Sequence, residues 1–264
     1  MRDFHAFEVA AWSEPGRADG YEALVARVTA RVAEPLLDAA GVHGGVRVLD
    51  VACGTGFLVA VAESRDAEAI GVDISPDMVR FACSRHPHLR FEVADAGALP
   101  FGDGTFDAGV AAFLLHHVPD PERVVGELAR VARRVVLAQW DTLDRARLLG
   151  IFSEAIRDSG VEARGSGPSR ELLASSTELE RLLQGAGLGG VSVGTIEFVQ
   201  RVEDTEELWS GVLAASVNTA ATVNAQEEAL RRRIRARVGE LAAAYERDGV
   251  LEIPVSVKIA NGSR

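Results

Sequence analysis

The chain has 264 residues, 47% hydrophobic and 25% charged, enough apolar material for one large domain with room for covering insertions. Its 39 acidic against 28 basic residues leave a formal charge of −11, which argues against a nucleic-acid-binding surface. No apolar run approaches membrane-spanning length and Met1-Arg2-Asp3-Phe4-His5 lacks a signal-peptide pattern, so a cytoplasmic protein with no membrane partner is expected.

Taken in chain order, residues 1–40 form a helical cap in which Val28, Val32 and Leu36 recur every four positions, an amphipathic stripe that must rest on something. Strands are predicted at 46–51, 68–74, 89–95, 106–112 and 134–140, with helices between most of them, and alternation of this kind predicts a doubly wound parallel sheet. Residues 143–168, with the soft stretch Arg164 to Ser169, and the helical insertion 204–248 are expected to cover the sheet's C-terminal edge. Two further strands are read at 191–201 and 251–260. In the insertion, Leu230, Ile234, Val238, Leu241 and Tyr245 keep helical spacing, while the arginines at 231, 232, 233, 235 and 237 are flanked by carboxylates and predict a solvated, self-compensated face. Only Cys53 and Cys83 occur, so neither a disulfide framework nor a metal site is implied.

The segment Val46-Arg47-Val48-Leu49-Asp50-Val51-Ala52-Cys53-Gly54-Thr55-Gly56 is the most telling. A β-branched run stops in a glycine turn that permits close backbone approach, and Phe57-Leu58-Val59 resumes a helical pattern, so a strand delivers a ligand to bare backbone. A dinucleotide fingerprint wants a third glycine where Val59 stands, and Asp50 would face a pyrophosphate's negative charge. No Lys-Ser or Lys-Thr pair follows for a nucleoside triphosphate. A ligand with a cationic end suits the turn better.

VLDVACGTGF resembles the first motif of class I S-adenosylmethionine-dependent methyltransferases, and GVDISPDMV (71–79), FEVADAGALPFGDGTFD (91–107) and FLLHHVPDPERVVGELARVAR (113–133) resemble the later motifs in the expected order. The pattern is similar to small-molecule methyltransferases of the ubiquinone and menaquinone biosynthesis type. The resemblance implies a Rossmann-like, seven-stranded α/β sheet with an antiparallel last strand inserted beside its predecessor, and S-adenosylmethionine as cofactor. It places Asp50 and the backbone of Ala52, Cys53, Gly54 and Gly56 around the methionine portion, Asp73 on the ribose hydroxyls, Asp95 and the Ala96 backbone on the adenine edge, and Ile74 and Met78 on its face. Phe113, where the fourth motif begins, joins the cofactor site. Asp73 and Ser75 also suit an ordinary turn or helix N-cap.

Methyl transfer is mostly a matter of alignment and exclusion of water. A hydroxyl acceptor would be helped by a base, for which His116, His117 and Asp141 are candidates, His116 foremost because it lies nearer the strand end. Trp12, Tyr21 and Trp140 are candidates to shape an apolar acceptor pocket for a small-molecule substrate. Two other functions remain open: a cofactor-binding relative with a non-methylating reaction such as cyclisation, and a nicotinamide oxidoreductase, against which Val59 and Asp50 speak. Oligomeric state is left undetermined.

Overall fold

In the computed structural model, which describes residues 2–14, 16–162 and 170–264, the chain opens with α1 (Arg2–Trp12) and α2 (Arg17–Ala39). It continues with β1 (Arg47–Val51), α3 (Phe57–Glu63), β2 (Glu68–Asp73), α4 (Pro76–Arg85), β3 (Arg90–Val93), β4 (Phe106–Ala112), α5 (Pro121–Val131) and β5 (Ala132–Trp140). The second half comprises α6 (Arg147–Asp158), α7 (Arg170–Leu173), α8 (Ser176–Gly185), β6 (Gly189–Val202), α9 (Thr205–Ala215), α10 (Val217–Asn224), α11 (Glu228–Ala242), β7 (Glu246–Arg247) and β8 (Val250–Ser263).

The strands join in the order β3-β2-β1-β4-β5-β8-β6. The pairs among β1 to β5 are parallel, and β8 runs antiparallel to both β5 and β6 between which it is inserted. The doubly wound sheet with an antiparallel last strand is therefore as the sequence implied. An eighth, two-residue strand adds to it: Asp248 and Gly249 both take positive φ, 50° and 81°, and turn Glu246 and Arg247 back onto Leu251 and Val250. Asp-Gly is the preferred pair for a tight hairpin of this kind, so α11 ends at Ala242 and, after a 3-10 turn over Ala243–Tyr245, the helical run stops short of 248. Arg164 to Ser169 lie outside the described residues.

The central strands bury both faces. Val48, Val110 and Val136 pack with α2, α6 and α9 on one side, and Leu49, Ala111, Val135 and Leu137 with α5 and α8 on the other. Val28, Val32 and Leu36 of α2 are each fully buried, an amphipathic face contributing about 1.5–3 kcal/mol per residue. The insertion is seated on that helix. A Cβ at Gly20 would stand 2.4 Å from Ala214, and one at Gly211 2.7 Å from Leu24, so α2 and α9 approach where side chains are absent. Arg17 Nη1 also donates to the free carbonyls of Leu213 and Ala214 at the end of α9, at 3.2 and 2.8 Å. Three of the five α11 arginines pair with carboxylates, Arg232 with Glu228, Arg235 with Glu206, and Arg237 with Asp158 and Glu240, while Arg233 donates to the Ser159 carbonyl. Two of those four carboxylates lie on neighbouring elements, so the face also ties α11 to α6 and α9.

Candidate active site

At the C-terminal ends of β1 and β4, where the strand order reverses, the sheet opens into a cavity of about 490 Å³. Crevices at this switch point are where open α/β sheets hold ligands. The backbone there is unusual. Ala52, past β1, and Phe113, past β4, take φ of 63° and 58°, a region costly for residues other than glycine, and both line the cavity. Phe113 is held by its N–H to Ala138 O at 2.8 Å and by stacking on Trp140, ring centroids 4.5 Å apart.

Of the sequence-predicted residues, Ala52, Gly54, Asp73, Ile74, Met78, Asp95, Ala96, Phe113, His116 and His117 all line this cavity. At Gly54, φ 52°, a Cβ would meet nothing within 4 Å, so the turn presents bare backbone to open space. Asp73 organises the floor: Oδ2 accepts from the Gly54 N–H and Oδ1 from the Ser75 N–H, both at 2.9 Å. Ser75 in turn caps α4 by accepting from Met78 N at 3.3 Å. The turn-and-cap role is thus real, with the Ile74 N–H acting on the same carboxylate, and it leaves part of the carboxylate's roughly four acceptor positions for a ligand. Asp95 is exposed and closes an Asx turn by accepting from Gly97 N at 2.8 Å.

Four predicted residues do not line the cavity. Gly56, φ 85°, sits under α3, and a Cβ there would stand 2.7 Å from the Phe91 ring; its task is close helix–strand packing, not ligand contact. Cys53 is buried against Gly71 and Phe91, and burial pushes its thiol well above the usual range. Asp50 is 2% exposed beneath the turn, and neither of its carboxylate oxygens has a hydrogen-bond partner. Burial, aided by the nearby charge of Asp73, pushes its pKa up to about 8.

Asp141 departs furthest from expectation. Strand geometry turns Trp140 into the main cavity and Asp141 to a small neighbouring cleft. There Asp141 accepts from Ser256 Oγ at 2.8 Å and Thr142 N at 2.9 Å, and pairs with Lys258 and Arg145. Burial alone would raise its pKa, but those hydrogen bonds and the Lys258 charge outweigh it and hold the carboxyl below the ordinary range. A low pKa and full occupancy by donors make it a poor base.

The other half of the cavity is aromatic and apolar. Trp12, Tyr21, Phe113 and Trp140 line it with Val9, Val25, Leu149 and Val212, so α1, α2 and α9 close it from above. Tyr21 donates to or accepts from Thr29 Oγ1 at 3.1 Å, and burial pushes its hydroxyl up to about 12. Glu8 escaped the sequence reading. It is 3% exposed, lines the cavity, and bonds His117 Nδ1 at 2.8 Å. Its signal was present: Phe4, Glu8 and Ala11 share one buried helical stripe, and an acid in such a stripe needs a polar partner.

The chemistry of the donors fits a cationic cofactor with a ribose. Among the described lining residues Arg123 is the sole arginine and no lysine occurs, and the Arg123 Nε is engaged by Gly97 O at 2.6 Å. Asp50, orphaned and with its pKa raised to about 8, gains its charge most readily beside a cation such as an ammonium or sulfonium, whereas a pyrophosphate next to it and Asp73 would be repelled as it ionised.

Comparison with known proteins agrees. A family model described as a methyltransferase domain matches residues 49–135. An O-methyltransferase of Penicillium expansum is 32% identical over 195 residues, covering 70% of this chain and 66% of the relative. A demethylmenaquinone methyltransferase of Beutenbergia cavernae is 39% identical over 109 residues, 40% of this chain and 45% of the relative. The chain thus spans between about half and two thirds of the length of these relatives. Among solved structures, phosphoethanolamine N-methyltransferase 2 of Haemonchus contortus, in complex with phosphomonomethylethanolamine and S-adenosylhomocysteine, shares the fold with a TM-score of 0.52 at 14% identity, covering 89% of this chain and 52% of that one.

Proposed function

The chain belongs to the S-adenosylmethionine-dependent methyltransferase family, and from that premise we propose that it methylates a small, uncharged, fairly apolar metabolite by in-line displacement. The observation that carries this reading is one continuous cavity with two chemistries: an acidic, bare-backbone half at β1 and β2, and an aromatic half without a free arginine or lysine. When bound, S-adenosylmethionine supplies an activated methyl group on a cationic sulfur.

In this reading the unused acceptor positions of Asp73 hold the ribose hydroxyls, and Ile74 and Met78 bracket the adenine. Asp95 and the Ala96 backbone read the adenine edge. Asp50, beneath the turn, ionises when the cationic methionine end binds and then serves as its counter-charge, with the Ala52 to Gly54 backbone above it. Phe113, fixed by Trp140, forms the wall between the two halves. The cap helices α1 and α2 and the 204–248 insertion serve as the cover that excludes water, through Val9, Trp12, Tyr21 and Val212. Residues 143–168 contribute Leu149 to the same cover.

A transfer assay with methyl-labelled S-adenosylmethionine tests the reading. Neutral phenols such as 2-methoxyphenol are expected to exceed their phosphorylated and carboxylated analogues by at least about tenfold in kcat/KM, because a charge buried without a partner is costly. Preference for the anionic analogues would overturn the proposed substrate class.

A further inference from the structure

Resting on that reading, we propose that Glu8 is a positioning residue that fixes the His117 imidazole with Nε2 toward the acceptor, so that His117, rather than His116, takes a hydroxyl proton during methyl transfer. The contact joins residues 109 positions apart, and Glu8, unlike His117, lies outside the residues matched by the family model.

Geometry sets the tautomer. A carboxylate only accepts, so Nδ1 of His117, 2.8 Å from Glu8 Oε2, must be the protonated nitrogen of the neutral ring. The lone pair is then on Nε2, on a ring that lines the cavity. Glu8 is itself held by donors, Trp12 Nε1 to Oε2 at 3.1 Å and Asn218 Nδ2 to Oε1 at 3.4 Å. Trp12 also packs edge-on against His117, centroids 5.3 Å apart, so the ring is fixed on two sides. Carboxylate, imidazole and open cavity form the same orienting sequence that activates a base elsewhere in enzymology. An amine acceptor needs no such base when neutral, so the arrangement points to an O–H nucleophile. The hydroxyl proton passes to Nε2 as the oxygen–carbon bond forms and the carbon–sulfur bond breaks, its electron pair remaining on sulfur.

Of the titratable groups, Glu8 and His116 touch the His117 ring and Asp73 interacts with it electrostatically, while His5, Tyr21, Asp95, Asp120 and Arg123 line the same cavity. Nitrogen NMR of ¹⁵N-histidine-labelled full-length protein reads the tautomer directly. The neutral His117 ring is expected as the Nδ1–H form in the wild type and as a mixture of tautomers in Glu8→Ala, where Nδ1–H has lost its acceptor. With 2-methoxyphenol as acceptor, Glu8→Gln is expected to cut kcat at least about tenfold with KM within about threefold, and activity is expected to be partly rescued in Glu8→Asp. An Nε2–H tautomer in the wild type, or an unchanged tautomer in Glu8→Ala, overturns the proposal whatever the acceptor. Binding of S-adenosylhomocysteine to the wild type separates the two claims: its absence defeats the family-based reading, whereas its presence with an unchanged His117 tautomer in Glu8→Ala defeats this one alone.

Discussion

Replacing Asp73 by alanine is expected to weaken S-adenosylhomocysteine binding at least about a hundredfold. Two hydrogen bonds from ribose hydroxyls to a carboxylate contribute about 1.5–3 kcal/mol each, and both vanish together. The same substitution strands the Gly54 and Ser75 N–H groups that shape the floor, so some loss of stability accompanies it. Calorimetric titration read beside a melting curve separates the two effects. A folded variant that still binds within a factor of three of the wild type would remove Asp73 from the cofactor site.

Asp50→Asn has the opposite signature: a more stable protein that binds the cofactor worse. Burial and Asp73 raise the folded-state pKa of Asp50 to about 8, against about 3.9 in the unfolded chain. Between those values the folded form keeps a proton that the unfolded form has released, so the wild type loses stability as pH rises, by about 1.4 kcal/mol per unit. Asparagine does not titrate. The melting temperatures of wild type and variant should therefore be similar near pH 4, diverge up to about pH 8 with the variant higher by about 5 °C or more, and then stay apart by a constant amount. Affinity for S-adenosylhomocysteine, whose ammonium loses its counter-charge, should fall at least about tenfold in the variant at pH 8. A gap in melting temperature that does not change with pH would mean that Asp50 is not the buried titrating group. Stability given up at an orphaned carboxylate is the usual signature of a residue kept for function.

The scaffold was legible in the sequence because its signals are local. Apolar runs such as Val46 to Val51 can only be buried strands, and Gly54 can only be read as a turn that leaves backbone bare. Where the reading failed, the missing information was direction or distance. Asp141 and Trp140 are neighbours at one strand end, yet alternation across the sheet puts only Trp140 in the main cavity. Gly56 was read with Gly54 as one motif, although Phe91, thirty-five positions on, decides that it serves packing. Glu8 meets His117 and Asn218 across 109 and 210 positions, and no periodicity within a single element encodes such a meeting. The short β7 hairpin was the exception: Asp248-Gly249 announces it locally, but it was absorbed into the helical spacing that precedes it.

The central claim is that the acidic half of the cavity holds S-adenosylmethionine and not a dinucleotide. It is tested most directly by calorimetric titration of the wild-type protein with S-adenosylhomocysteine and, separately, with NAD. The account predicts micromolar binding of S-adenosylhomocysteine and no heat of binding with NAD. Binding of NAD without S-adenosylhomocysteine would contradict it.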